Sequence, residues 1–289
     1  MAVVALALVS AFLFALAAVL QQQVAARATD AEARQAGFLL RLVRSPRWLA
    51  GTAVDAFGGV LQAVALGLGR LAVVEPLSAT TVVFALPLGR RMGGQEVTRR
   101  QVLGAIAVTA GLGLFLLVAD PSGGASDAPL RRWLVVGGAL GGAIALLAVF
   151  GLRARHGVRA AMLGAAGGIA FGVCAGLVKV VVDELGDGPG AVLGNWHLYA
   201  LGAAGLAATW LNQAALQAGA LAPAVAATMA ADPIASVLLG TLVLGESLHH
   251  SPGGVAASIL ALVLMVAGLA ATASPSAGTT PTSPRRPTP

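Results

Sequence analysis

The sequence predicts an all-α polytopic membrane protein of about nine transmembrane helices, laid out as two inverted-topology repeats of four around one connecting helix. Three observations predict it. Of 289 residues, 57% are hydrophobic and only 10% charged, with a mean hydropathy of +0.86. A soluble domain carries roughly a quarter charged residues, so this chain has too little charge to cover a soluble globule. Nine windows are also long enough to cross about 30 Å of hydrocarbon, which takes roughly 17 to 25 apolar residues. Finally, a shift of 150 positions lays one half of the chain over the other.

The windows run over 2–23, 49–69, 71–89, 101–119, 133–152, 160–182, 196–217, 221–243 and 253–272. The first lacks a basic leader and exceeds the apolar core of a signal peptide, so it reads as a membrane helix. The second carries Asp55 and Gln62, which lie two turns apart on one helix face. The third opens on Glu75-Pro76; proline is tolerated in a first turn, so Glu75 reads as an interfacial helix start and Pro76 as a kink. The fifth carries Gly137, Gly138, Gly141 and Gly142, and the sixth Gly164, Gly168, Gly172 and Gly176. Small residues at i+4 spacing permit close helix approach, and the fourfold repetition in the sixth points to tight packing there. That window also holds Lys179, the only lysine. The seventh holds Asn212, Gln213 and Gln217, and the eighth has Asp232-Pro233 at its centre and ends near Glu246.

The positive-inside rule orients the chain. Arg27, Arg34, Arg41, Arg44 and Arg47 fill the first loop, Arg90, Arg91, Arg99 and Arg100 the third, and Arg153, Arg155 and Arg159 the fifth. The odd loops are thus expected in the cytoplasm, with the N-terminus outside, the C-terminus inside and the protein multi-pass in the cell membrane. Asp183, Glu184 and Asp187 then fall outside, as do Arg131 and Arg132, which dissent. The expected divisions are a first repeat at 1–119, a connecting helix and loops at 120–159, a second repeat at 160–273 and a cytoplasmic tail at 274–289. The tail is too rich in Pro, Ser and Thr to fold.

At the 150-residue shift, Leu61, Ala65, Leu66, Gly69, Leu71 and Ala72 meet Leu211, Ala215, Leu216, Gly219, Leu221 and Ala222, and Glu96 meets Glu246. By the orientation above, matching helices run in opposite directions. Inverted repeats recur in secondary transporters, whose sites lie near the midplane where the repeats meet; that step is an argument from fold analogy.

The stretches LQQQVAAR at 20–27, WLAG at 48–51, VVEPLSATTVVFALPLG at 73–89, LNQAAL at 211–216 and LGE at 244–246 together resemble the drug/metabolite transporter superfamily. Within it they are similar to EamA-like and nine-helix NIPA-type magnesium transporters. The resemblance spans nearly the whole chain except the tail. It implies ten helices in two halves of five, of which this chain lacks the first. It also implies a Gly-Glu pair near Gly58 and Gly59, where this sequence has Gly-Gly and Asp55 one turn away as a substitute. Lys179 resembles a lysine of the matching NIPA-type helix, and Glu246 the superfamily's helix-end glutamate.

The polar groups within the windows carry the functional expectation. An ionised carboxylate at mid-membrane costs about 2.5–3.5 kcal/mol, and Pro233 frees the carbonyl of Met229. Asp232 therefore reads either as a protonated packing residue or as a cavity-lining group linked to protons or cations. Asp55 has the same two readings. Lys179 either snorkels to the interface beside Asp183 or binds an anionic group, and Gln62 and Gln213 supply hydrogen bonds to a cavity or between helices. Glu246, His249 and His250 could suggest a metal, but the topology puts them in an exposed loop, so no metal site is expected.

Small arginine clusters are not a nucleic-acid surface. Cys174 alone excludes an internal disulfide and reads as a small buried hydrophobe. No catalytic triad or HExxH pattern appears, so no enzyme and no cofactor are expected. The expectation is a secondary transporter of a small molecule or ion, working by alternating access around a midplane cavity. The alternatives are a NIPA-like divalent-cation carrier and a non-transporting structural membrane protein. The expected partners are the bilayer and the substrate, and a homodimer is compatible with this plan.

Overall fold

In the computed structural model, the described residues are 2–25, 45–93, 97–119, 122–125, 127–218, 221–247 and 252–272. Their elements are α1 (Ala2–Ala25), α2 (Pro46–Leu68), α3 (Leu71–Ser78), α4 (Thr81–Gly93) and α5 (Arg99–Ala119), then β1 (Ser122–Gly123). A helical turn at Leu130–Arg132 and a π-helical turn at Trp133–Gly137 lead into α6 (Gly138–Arg153). There follow α7 (His156–Leu185), α8 (Pro189–Gly194), α9 (Trp196–Gln217), α10 (Leu221–Leu242), β2 (Glu246–Ser247) and α11 (Pro252–Thr272). Eight segments among them are long and apolar enough to cross a membrane, so the protein is an all-α polytopic membrane protein. The ninth expected segment is α9, helical over 22 residues, but it is not among those eight; Trp196, His197, Asn212, Gln213 and Gln217 dilute its apolar character.

The third expected span is two helices in tandem, α3 and α4. Pro76 donates no hydrogen bond to Ala72, and three residues later the helical ladder gives way to short turns. There the amides of Ala79 and Thr80 donate to the Pro76 and Leu77 carbonyls, and the Thr80 hydroxyl also donates to Leu77 O at 2.7 Å. By contrast α10 runs unbroken through Pro233.

α10 packs along its neighbour α7. α7 and α10 form the most extensive helix pair, and the glycine face of α7 is what lets them close. A Cβ placed at Gly164 would stand 2.4 Å from Ala224 O, one at Gly168 2.3 Å from Thr228 O, and one at Gly172 2.7 Å from the Ala235 Cβ. Among helices in hydrocarbon, such van der Waals contact replaces a hydrophobic driving force. α5 and α11 pair the same way, with Gly104 and Gly268 backbone to backbone. The glycines that open the fifth expected span behave differently: a Cβ at Gly137, Gly138, Gly141 or Gly142 would meet nothing within 4 Å.

α1 packs along α2, and α7 packs along both α9 and α10. One buried cluster joins the early and late parts of the chain, combining Leu66, Leu71, Val74 and Leu77 with Val180, Leu239, Leu244 and Met265. At one end of the bundle β1 and β2 pair antiparallel, Ser122 opposite Ser247 and Gly123 opposite Glu246. The turn before β2 uses Gly245 at φ +69°, a conformation that strains any residue with a Cβ.

Candidate functional site

A cavity of about 480 Å³ opens among α1, α2, α3, α4, α7, α10 and α11. Its position follows from the α3–α4 break and from the proline in α10. The α3–α4 break and Pro233 both face it, with Ser78, Ala79 and Thr81 on one side and Met229, Asp232 and Pro233 on the other. Non-helical backbone at membrane depth is tolerated where it lines a cavity. Phe14 and Phe171 add aromatic wall, and the acidic groups are Glu75 and Asp232.

Glu75 is buried, 6% exposed. Its Oε1 accepts a 3.0 Å hydrogen bond from Gln62 Nε2. The Gln62 carbonyl oxygen in turn faces the Ser10 hydroxyl at 3.2 Å, which also donates to Gly58 O at 2.8 Å. Gln62 therefore orients the Glu75 carboxyl from α2 and is itself oriented from α1. Asp232 is less fully held, with the Ser236 side chain beside it one turn on. Its Oδ1 is enclosed without a hydrogen-bond partner among the described residues. A buried carboxylate oxygen left unsatisfied by the chain is costly; a proton or a cation entering the cavity would satisfy it. No lysine or arginine lines this cavity.

Glu75 was not legible as a site residue. Read from the sequence it opens a helix at the interface, yet α3 begins at Leu71 and carries Glu75 a full turn inward. The available signal was an acid four residues inside an apolar window, following a span that already held Gln62.

Lys179 and Glu246 lie elsewhere, in a separate polar cavity of about 680 Å³ at the end of the bundle that the arginine pattern assigns to the outside. Glu246 is not in an exposed loop; it is 2% exposed. Its two carboxylate oxygens accept from the amides of Leu71 at 2.7 Å and Ala72 at 2.8 Å. These are the unpaired first amides of α3, where a negative charge is favoured. Lys179 does the complementary work at the end of α2, donating to Leu66 O at 2.9 Å and Gly69 O at 2.6 Å. Arg70 Nε reaches Gly123 O at 3.2 Å, and Ala125 N donates to Leu244 O at 2.8 Å. Arg132, the dissenter from the charge rule, points its guanidinium at Val243 O.

Beside this layer His197 is buried between two acids. Its Nδ1 lies 2.7 Å from Glu184 Oε1 and its Nε2 3.3 Å from Asp127 Oδ1. Asn195 donates to the same Glu184 oxygen, the Trp133 indole donates to Asp127, and the Trp196 ring lies 4.1 Å from the imidazole centroid. The cluster ties the entry to α6, the end of α7 and the start of α9.

Of the residues singled out in the sequence, Asp232, Pro233 and Gln62 meet in this cavity, and Pro76 precedes the helix break beside it. Asp55 and Gln213 are exposed and line neither cavity. His249, His250, Glu96 and the first-loop arginines from Arg27 to Arg44 lie outside the described residues, as does the tail.

The chain is 33% identical over 264 residues to an uncharacterized protein of Corynebacterium glutamicum, covering 90% of each chain. No protein-family profile matches it, and no solved structure does.

Proposed function

The chain belongs to the same family as that Corynebacterium glutamicum protein, and we propose that it is a secondary transporter moving a small molecule or ion through the cavity between α3, α7 and α10. The observation that carries this reading is the pair Asp232 and Glu75. They are contributed by early and late parts of the chain to one cavity, one held by Gln62 and the other with its Oδ1 enclosed and without a hydrogen-bond partner among the described residues. A packing residue would be expected to find a partner within the protein; an acceptor kept open suits a travelling proton or cation. Likeness of plan to transporters with inverted repeats, and the resemblance to the drug/metabolite superfamily, agree with this by analogy. A structural membrane protein would have no need of such a cavity.

In this scheme Asp232 exchanges a proton or cation with the cavity, and Glu75 is the second acceptor. The end layer around Glu246 and Lys179 closes one entrance. A divalent-cation carrier is a second reading, favoured by a lining whose donors are all oxygens, from Asp232, Glu75, Gln62, Ser78 and Thr81.

The test is flux in proteoliposomes loaded with a pH-sensitive dye and challenged with amines, amino acids and magnesium. Wild type should give a substrate-evoked proton or cation flux that falls at least about tenfold in Asp232→Asn and in Glu75→Gln, the loss of a step each carboxylate must serve. Equal flux in wild type and both variants would sink the role of this cavity.

A further inference from the structure

The cavity between α4 and α5 has a different character from the two above. It measures about 610 Å³, and its walls are apolar, with Val83, Leu86 and Pro87 facing Val102 and Ile106. Val102 and Ile106 are exposed, so the groove opens sideways to the hydrocarbon. Two polar residues touch it. The Thr109 hydroxyl is occupied, donating to Ala105 O at 2.9 Å. Arg90 is exposed and has no hydrogen-bond or ion-pair partner among the described residues.

Arg90 does not stand alone. Residues 90–100 hold four arginines, Arg90, Arg91, Arg99 and Arg100, against one acid, Glu96. All four are exposed at the same end of the helix pair, at the edge of an otherwise greasy slot. The two longest undescribed segments are themselves net basic. Residues 273–289 carry Arg285 and Arg286 and no acid, and residues 26–44 carry four arginines against Asp30 and Glu32. The net positive charge that remains calls for an anion from outside the chain, joined to an apolar body long enough to lie along two helices.

We propose that the α4–α5 groove holds an acyl chain of an anionic phospholipid, its phosphate seated on Arg90 with Arg91, Arg99 and Arg100 around it. Guanidinium groups fit phosphate oxygens in a two-pronged geometry, and juxtamembrane basic residues draw anionic lipid headgroups. The apolar walls select the tail and the arginines select the head. A zwitterionic lipid meets the second requirement only weakly, because its headgroup cation offsets the phosphate charge and is repelled by the other arginines.

The experiment is native mass spectrometry of the delipidated full-length protein with phosphatidylglycerol or phosphatidylcholine of identical acyl chains. Wild type should retain phosphatidylglycerol at least about tenfold more than phosphatidylcholine, because several arginines act together at roughly fivefold each. Arg90→Gln should lower phosphatidylglycerol retention about fivefold and affect phosphatidylcholine less. Ile106→Trp, and Val102→Trp one turn away, should fill the slot and abolish retention of both. Glycerol phosphate, which has the head without the tail, should not displace the lipid. Equal retention of the two lipids by wild type, unchanged retention in the groove-filling variants, or displacement by glycerol phosphate would each overturn the proposal.

Discussion

Glu246 and Lys179 each do at one helix end what backbone geometry leaves undone. The carboxylate takes two orphan amides of α3, and the ammonium takes the Leu66 carbonyl of α2 and that of Gly69 just past its end. Hydrogen bonds to charged groups contribute about 1.5–3 kcal/mol each, and both groups are buried. Glu246→Ala should therefore lower stability by about 2–4 kcal/mol, with Glu246→Gln intermediate, measured by thermal unfolding in detergent; equal melting of Ala variant and wild type would contradict the capping role. Among the acids, Asp232 was legible because a charge amid apolar residues stands out at any depth. Asp55 stood out for the same reason yet faces outward. The depth of a residue along a helix can be counted from the sequence. Its azimuth cannot be read where the surrounding helix is apolar nearly all round.

Elements show the same division. Glycine spacing in α7 announced a close face, and the partner proves to be α10, with backbone oxygens 2.3–2.4 Å from the added Cβ positions at Gly164 and Gly168. The glycines at 137–142 have much the same composition but face nothing. Gly168→Leu should force α7 and α10 apart and cost upwards of about 3 kcal/mol, beyond ordinary overpacking. Gly141→Leu should change melting by less than about 0.5 kcal/mol, as surface substitutions do. Reversed sensitivities in a detergent melting series would show that α7 and α10 do not meet this way. The α3–α4 break was half-legible: Pro76 marks the disturbance, but the turn falls three residues on, where Thr80 can satisfy Leu77 O.

Over the whole molecule, several bonds between distant parts of the described chain gather at one end. Glu246 to Leu71 and Ala72, Lys179 to Leu66 and Gly69, and Arg70 to Gly123 lie in that one layer. If transport proceeds by alternating access, this layer is the gate that must part. Spin labels at the exposed positions Leu68 and Leu193, in a Cys174→Ala background, would report it. Glu246→Ala should broaden their distance distribution toward longer separations, whereas an unchanged distribution would remove the layer from the gating scheme.

The sequence by itself determined the environment, the approximate spans and the helix face built for contact, because hydropathy, charge scarcity and glycine spacing act locally. It also marked Asp232 and Gln62 as polar groups at depth. Only the tertiary structure decided that Glu75 joins them, that Glu246 is buried as a cap 175 residues from its partner, that His197 sits between Asp127 and Glu184, and that Asp55 does not enter the cavity. Each of those outcomes depends on how helices are rotated and brought together. In an apolar solvent, where no amphipathic face sets that rotation, it comes from packing between distant segments.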